Sequence, residues 1–223
     1  MNDKLRAADL GFRVDDAWIV HDVDLAVRTG ETLAVVGPSG AGKSTLLRLL
    51  DRLDEPTTGT VYLDGTDYRE LPPTELRARI GLVPQDPSLR EGTVAENVGV
   101  GPRLRGDPVD EERIADLLDR VGLGDYADRD VGDLSGGEAQ RVAIARTVMV
   151  DPEVLLLDEP TASLDSEAEA SVEALLSDLL AGADRTAVLV THDERQARRL
   201  ADRVARFGDG TVRAVGPPNE VIA

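Results

Sequence analysis

Eight consecutive residues have the types and spacing needed to hold a phosphate group: Gly37-Pro38-Ser39-Gly40-Ala41-Gly42-Lys43-Ser44. Glycines let the backbone curl so that successive N–H groups face an anion, and the start of a helix adds unpaired N–H groups and the positive end of its dipole. In such a loop the lysine reaches the β- and γ-phosphates of a nucleotide, and the serine hydroxyl binds Mg²⁺. An ordinary glycine turn is the alternative. The apolar run Leu33–Val36 just before the loop favours phosphate binding.

A second pattern is an apolar run, Val154-Leu155-Leu156-Leu157, that ends in Asp158 and Glu159. A strand of this kind places carboxylates at the carboxyl edge of a sheet, where open α/β sheets bind ligands. Asp158 could hold Mg²⁺ through water, and Glu159 could polarise an attacking water molecule. Taken alone, the pattern usually means only that a strand meets solvent. Together with the glycine-rich loop it predicts a P-loop nucleoside triphosphatase.

A third motif, Leu134-Ser135-Gly136-Gly137-Glu138-Ala139-Gln140-Arg141, narrows the class. It resembles the signature motif of ABC ATPases. Gly136 and Gly137 leave N–H groups free at the start of a predicted helix, which makes a second anion-binding terminus. In the family, two subunits pair head to tail, and each signature motif covers the ATP held by the other subunit. The resemblance therefore implies nucleotide contacts from Ser135, Gly136, Gly137 and Glu138, in addition to those of Gly37 to Thr45.

The resemblance extends over nearly the whole chain and assigns further roles. Gln85, after the predicted strand Ile80–Val83, matches the glutamine that touches Mg²⁺ and the attacking water and links the core to a helical insert. His192, after the predicted strand Ala187–Val190, matches the histidine that contacts the γ-phosphate. Ser163-Leu164-Asp165 matches the loop that crosses the dimer interface. The catalytic set implied is Glu159, His192, Gln85 and Lys43, and the metal set is Ser44, Gln85 and Asp158.

One position departs from the family pattern. Members usually carry an aromatic residue before the Val23–Val27 strand that stacks on adenine, and Val14 occupies that place here. Phe12 and Trp18 flank Val14, and either could turn toward the base or both could be core aromatics. We favour Phe12 as the substitute and expect weak adenine stacking.

The elements around these motifs alternate between strand and helix, which predicts an α/β fold with a mainly parallel sheet. Val61–Leu63 followed by Asp64-Gly65 predicts a hairpin, and hence a small antiparallel β-subdomain beside the P-loop core. Residues from about 87 to 150 read mostly as helix, with one helix closing at Gly122 and another from Gly137 to Val150. We therefore expect one ABC ATPase domain over 1–223, in which 1–86 and 151–223 form the core and β-subdomain and 87–150 an inserted α-helical subdomain.

The composition excludes several classes. Asp and Glu number 43 against 25 Lys and Arg, for a net charge of −18, which argues against general nucleic-acid binding. The chain contains no Cys, no apolar stretch of about 20 residues and no evident secretory signal. An acidic docking face is one explanation of the charge. We favour a solvated surface suited to high salt, similar to proteins of halophilic archaea.

These features predict the ATP-hydrolysing subunit of an ABC transporter, peripheral on the cytoplasmic face of the membrane. The expected partners are a second copy or a paired ABC subunit, transmembrane permease subunits and a solute-binding protein. Gly92–Val98 looks similar to subunits that serve inorganic ions such as phosphate or metals. The rival class is a soluble ABC ATPase of nucleic-acid maintenance or translation, which would need a coiled-coil or zinc-binding insertion, or a second cassette.

Overall fold

The computed structural model describes residues 2–181 and 185–222 and contains two β-sheets with helices around them. The strands are β1 (Asp3–Val14), β2 (Ala17–Arg28), β3 (Thr32–Val36), β4 (Thr58–Leu63), β5 (Thr66–Asp67), β6 (Ile80–Val83), β7 (Val154–Asp158), β8 (Thr186–Thr191), β9 (Arg203–Gly208) and β10 (Thr211–Gly216). The helices are α1 (Lys43–Leu50), α2 (Pro73–Arg79), α3 (Val94–Val98), α4 (Val100–Arg105), α5 (Glu111–Arg120), α6 (Gly136–Val148), α7 (Ser166–Leu180), α8 (Glu194–Leu200) and α9 (Pro218–Val221).

The main sheet has six strands in the order β10-β9-β3-β8-β7-β6. All neighbours from β9 to β6 are parallel, and β10 adds an antiparallel edge. Strands buried on both faces are near-continuous apolar runs, and β7 is one. Its Val154 and Leu156 pack in the core cluster that contains α1, whereas Leu155 and Leu157 pack in the cluster that contains α6 and α7.

The second sheet is antiparallel, in the order β2-β1-β4-β5, and includes the predicted hairpin as β4 and β5. Sequence analysis did not identify β1 and began β2 at Val23 rather than Ala17. The reason is irregular pairing: the register between β1 and β2 shifts at four places, and Asp9 has a φ of 47°. Such bulges interrupt the alternation of apolar and polar residues by which a strand is recognised.

The region from 87 to 150 is less regular than its sequence suggested. Helices α3 and α4 are short, and two 3₁₀ turns, Gly124–Tyr126 and Val131–Asp133, separate α5 from α6. Helix α5 ends at Arg120, and Gly122 follows with a φ of 71°, close to the predicted end. Over the described ranges, no helix has both the length and the apolar character needed to cross a bilayer.

Candidate functional site

The main sheet places the predicted residues of the loop and of the strand ends at a single edge. In the parallel register Val36 lies opposite Thr191, Leu157 opposite Leu189, and Val83 opposite Leu157. Strands β3, β8, β7 and β6 therefore end side by side, and the residues that follow them emerge at the same edge of the sheet. These are the glycine-rich loop, His192, Glu159 and Gln85, in the order of those strands.

The loop from Gly37 to Gly42 requires glycine at particular points. A Cβ on Gly37 would lie 2.0 Å from the carbonyl oxygen of Phe207, and one on Gly42 would lie 2.6 Å from that of Ile19. Gly42 also has a φ of 98°, which other residues rarely adopt. The loop is thus pressed against β2 and β9 and leads directly into α1.

Lys43, the first residue of α1, is only 4% exposed and points back across the loop. Its Nζ donates to the carbonyl oxygens of Gly37 at 2.9 Å and Pro38 at 3.0 Å, and lies 3.3 Å from Glu159 Oε1. Pro38, Ser39 and Gly40 are exposed, so the loop is open to solvent beside this buried cation.

Ser44 and Asp158 meet beneath the loop. The Ser44 hydroxyl donates to Asp158 Oδ1 at 2.9 Å. Burial raises the pKa of Asp158, and the hydrogen bond from Ser44 partly offsets this effect. Two hard oxygen donors next to a phosphate-binding loop are the ligand type that Mg²⁺ takes in nucleotide sites. Thr45 follows in the first turn of α1 and is half-buried.

Glu159 stands at the centre of the site in an unusual backbone conformation. Its φ is 41°, which is uncommon outside glycine, while its N–H donates to Val190 O at 2.9 Å. Its Oε2 lies 2.8 Å from His192 Nδ1, and its Oε1 faces Lys43. Backbone strain of this kind persists where the surrounding structure fixes a functional side chain. The structure therefore brings Lys43, Ser44, Asp158, Glu159 and His192 together.

Gln85 and the signature residues stand apart from that group. Gln85 is exposed, and no hydrogen bond joins its side chain to the other predicted residues in the part of the chain that the structure describes. The amides of Gly136 and Gly137 open helix α6, where Gly136 faces Leu164 and Gly137 faces Ala168. Ser135 caps this helix, and the Glu138 carboxylate is hydrogen-bonded within the chain to Ser135 and Tyr126.

The structure does not favour Phe12 as the residue that stacks on adenine. Phe12 is half-buried and packs against the core cluster around α1, so the structure favours the core-aromatic alternative for it. Val14 is 48% exposed. Trp18 is 45% exposed, and the guanidinium carbon of Arg13 lies 5.7 Å from the centre of its ring.

Sequence reasoning missed Tyr126 and Arg129 as neighbours of the signature. They precede Glu138 by twelve and nine residues, in irregular segments without periodicity. Neither residue type at that spacing carries a recognisable signal, so only the folded chain reveals their contacts.

The fold and the site together define a P-loop nucleotide-binding α/β protein. A parallel sheet ends in a glycine-rich loop, a buried lysine and an acidic pair, and a second glycine-containing helix start lies elsewhere on the chain.

Comparison with known proteins identifies the family. The family model described as ABC transporter matches residues 20–162. A probable anion import ATP-binding protein of Haloferax volcanii is 44% identical over 98% of this chain and 82% of its own length. The phosphate import ATP-binding protein PstB 2 of Natronomonas pharaonis is 43% identical over 98% of this chain and 82% of its own. The dimeric post-hydrolysis structure of the ATP-binding cassette MJ0796, bound to ADP and Pi, superposes with a TM-score of 0.86 and 31% identity, covering 96% of this chain and 98% of that one.

The chain belongs to the ABC transporter family and is an ATP-binding, ATP-hydrolysing subunit of that class. The predicted fold class is therefore confirmed, and so is the predicted function as an ATP-hydrolysing subunit of an ABC transporter. The two archaeal relatives also agree with the halophilic character read from the charge.

Proposed function

We propose that the edge formed by the loop and the ends of β7 and β8 is the hydrolytic site. The observation that carries this assignment is the contact of Glu159 with both Lys43 and His192. The amides of Gly37 to Thr45 and the Lys43 ammonium hold the β- and γ-phosphates of ATP. Glu159 orients and polarises the attacking water, and His192 holds the Glu159 carboxylate and contacts the γ-phosphate.

Mg²⁺ fits the oxygen donors at the same edge. Ser44 Oγ and Asp158 Oδ1, 2.9 Å apart, would hold the ion, and Gln85 would join them from the end of β6. Bound there, Mg²⁺ would neutralise phosphate charge. The raised pKa of Asp158 reflects a buried carboxylate with few compensating charges, which a cation would supply.

The signature residues serve a second copy of the chain or a paired ABC subunit. Ser135, Gly136, Gly137 and Glu138 make no hydrogen bond to the loop within the described residues. The Ser135 and Glu138 amides are used in the capping box, so the amides of Gly136 and Gly137 are the ones that can cover a nucleotide bound by another subunit. The solved relative that superposes with this chain is dimeric and carries ADP and Pi. Hydrolysis would remove the phosphate that joins the two halves, and the dimer would open.

A groove beside the Gln85 segment is the surface that fits a membrane partner. It has a volume of 610 Å³, lies between the core and the helical region, and its apolar lining includes Leu53, Leu82 and Leu104. Four arginines line it although the chain is strongly acidic: Arg48, Arg77, Arg105 and Arg146.

Arg146 indicates the chemistry of the occupant. Its guanidinium donates to the Ser88 carbonyl at 2.8 Å, and burial lowers its pKa. Because no carboxylate pairs with Arg146 among the described residues, charge complementarity favours an amphipathic segment of a permease subunit that brings one. Such docking would place this chain on the membrane surface, at the cytoplasmic face where ATP is available.

Import of an inorganic anion is the transport role that the relatives support, since two of them are named for anion and phosphate import. A solute-binding protein would accompany such a system. We also propose the division predicted above, with 1–86 and 151–223 as core and β-subdomain and 87–150 as the helical subdomain that meets the permease.

The test is Glu159→Gln, which keeps the shape of the side chain and removes its charge. We expect ATP binding to persist while turnover falls by about a hundredfold or more, in line with the loss of a positioned general base. ATP should also accumulate a stable dimer, measured by sedimentation.

The matched control is Glu194→Gln, an exposed acid two residues beyond His192 that pairs with Arg206. It should hydrolyse ATP at the parent rate. Near-normal turnover in Glu159→Gln would remove Glu159 from the catalytic role.

A further inference from the structure

Glu138 places a negative charge at the start of a helix that is proposed to receive a phosphate. It is the third residue of α6, whose first two are Gly136 and Gly137. A carboxylate in a first turn stabilises the helix itself, because it offsets the positive end of the dipole. The same carboxylate would repel an incoming phosphate and compete for the amides that should bind it.

The structure shows where that charge is held. Glu138 Oε2 accepts the Ser135 N–H at 2.8 Å, and Oε1 accepts the Tyr126 hydroxyl at 2.8 Å. The hydrogen bonds from the Ser135 backbone and from Tyr126 lower the pKa of Glu138 to about 2, so it is ionised at neutral pH. Both oxygens are turned back, away from the amides of Gly136 and Gly137, for which no acceptor is found within the described ranges.

Arg129 completes the arrangement around this carboxylate. Its Nη1 lies 3.9 Å from Glu138 Oε1, and its guanidinium carbon lies 4.7 Å from the centre of the Tyr126 ring. Its Nη2 donates to Asp133 O at 3.2 Å, and its own carbonyl accepts Val94 N–H at 3.0 Å. Arg129 is therefore fixed to α3 and to the segment before the signature, and its N–H donates to the Tyr126 carbonyl at 2.9 Å.

A second capping box in the same chain has no tyrosine and arginine of this kind beside its glutamate. At the start of α3, Glu96 Oε2 accepts the Thr93 N–H at 2.9 Å, and Thr93 Oγ1 accepts the Glu96 N–H. Neither a tyrosine hydroxyl nor an arginine approaches the other Glu96 oxygen among the described residues. Capping a helix thus needs only the box. The additional tyrosine and arginine occur at the helix whose N-terminus has a proposed anion to bind.

We propose that Tyr126 and Arg129 are positioning residues for the signature: they hold the Glu138 carboxylate back so that the Gly136 and Gly137 amides can receive the phosphate of a nucleotide bound to a second copy. This inference rests on the proposed function of the signature. It predicts that Tyr126 affects the pairing of two subunits around ATP and leaves the binding of ATP to a single subunit unchanged.

The experiment uses full-length Glu159→Gln as the parent, because it accumulates the ATP-bound dimer. Tyr126→Phe removes only the hydroxyl that holds Glu138. We expect ATP-dependent dimerisation, measured by sedimentation, to weaken about five- to tenfold, the scale of one typical intramolecular hydrogen bond. ATP affinity of the monomer, measured at protein concentrations too low for pairing, should be unchanged.

Tyr62→Phe is the matched control. Arg6 also lies over the Tyr62 ring, at 4.2 Å, but the Tyr62 hydroxyl makes no hydrogen bond within the described residues. The Tyr62→Phe variant should therefore dimerise like the Glu159→Gln parent. Glu138→Gln removes the charge that has to be held back. In that background, adding Tyr126→Phe should weaken ATP-dependent dimerisation by less than about twofold.

Three outcomes contradict the inference. If Tyr126→Phe behaves like Tyr62→Phe, the hydroxyl does not position the signature. If the loss is equally large in the Glu138→Gln background, Tyr126 acts through packing and not through the charge of Glu138. If the Glu159→Gln parent itself fails to dimerise with ATP, the proposed dimer is wrong, and this inference falls with it.

Discussion

The N-termini of α1 and α6 both point free amides at proposed phosphate positions, yet they are built differently. Helix α1 follows Gly42, has no side-chain cap and no acid in its first turn, and begins with the buried Lys43. Helix α6 follows Ser135, has a complete capping box with Glu138, and carries no cation in its first turn. Lys43 at the start of α1 is buried, whereas Ser135 and Gly136 at the start of α6 are exposed.

The difference indicates a division of labour between the two. At α1 the amides are left uncapped and a cation stands beside them, so this end can bind a polyphosphate by itself. At α6 the cap occupies the Ser135 amide and introduces a negative charge, which leaves only two amides for an anion. As proposed above, such a site would add affinity to a nucleotide that another subunit already holds. Because two amides are too few to bind ATP by themselves, pairing would depend on ATP bound at the other subunit.

The largest expected effect comes from Lys43→Ala. Removing the ammonium deletes the only lysine near the loop, and ATP affinity of the monomer should fall by about 3 kcal/mol, roughly 150-fold. Ser135→Ala should leave monomer affinity unchanged and weaken only dimerisation. Titration with a fluorescent ATP analogue measures the monomer affinity of both variants. Equal losses in the two variants would contradict the division between α1 and α6.

Glycine substitutions extend the comparison to the backbone. Gly37→Ala puts a Cβ 2.0 Å from Phe207 O, whereas the nearest atom to a Cβ on Gly136 is Leu164 Cδ2 at 3.7 Å. We expect Gly37→Ala to lower the free energy of unfolding by about 2–3 kcal/mol, as overpacked sites do, and Gly136→Ala to change it by less than about 1 kcal/mol. Urea denaturation distinguishes them, and similar midpoints would show that the loop is not pressed against β9.

The α1 site was largely predictable from the sequence, whereas the environment of α6 was not. Lys43, Ser44, Asp158 and Glu159 are recognisable because glycines, a lysine and strand-end acids occur at fixed offsets. The Tyr126–Glu138 contact depends on how two irregular segments pack, and local patterns do not encode that. Strand β1 was missed for a related reason, since bulges near Asp9 interrupt its periodicity.

The far end of α1 supplies a third prediction, at Asp51. This residue caps the helix C-terminus, is buried, and has an Oδ1 without a partner within the described chain. Burial raises the pKa of Asp51 to about 7, and nearby Arg77 offsets only part of the effect. The folded protein therefore binds more protons than the unfolded chain between pH 4 and 7, and stability falls as pH rises through this window.

Asp51→Asn should remove that fall and raise the free energy of unfolding at pH 8 by about 1–3 kcal/mol, with little change at pH 4. Asp54→Asn is the control with the opposite sign. Arg48 donates to Asp54 and lowers its pKa, so this substitution should cost stability at pH 8. Denaturant titrations at pH 4 and pH 8 measure the free energy of unfolding of both variants. An effect of Asp51→Asn that does not depend on pH would contradict the titration of a buried Asp51.

The smallest expected effect concerns the adenine base, which we expect the α1 side to contact. Val14 stands where the family resemblance predicts a stacking aromatic, and Val14→Tyr should strengthen monomer ATP binding by about 1 kcal/mol, the low end for base stacking at an exposed site. Trp18→Ala should change it little, because that ring already packs against Arg13. Since α6 is proposed to contact phosphate alone, dimerisation at saturating ATP should be the same with Val or Tyr at this position. A tighter dimer in Val14→Tyr would mean that base recognition also reaches the interface.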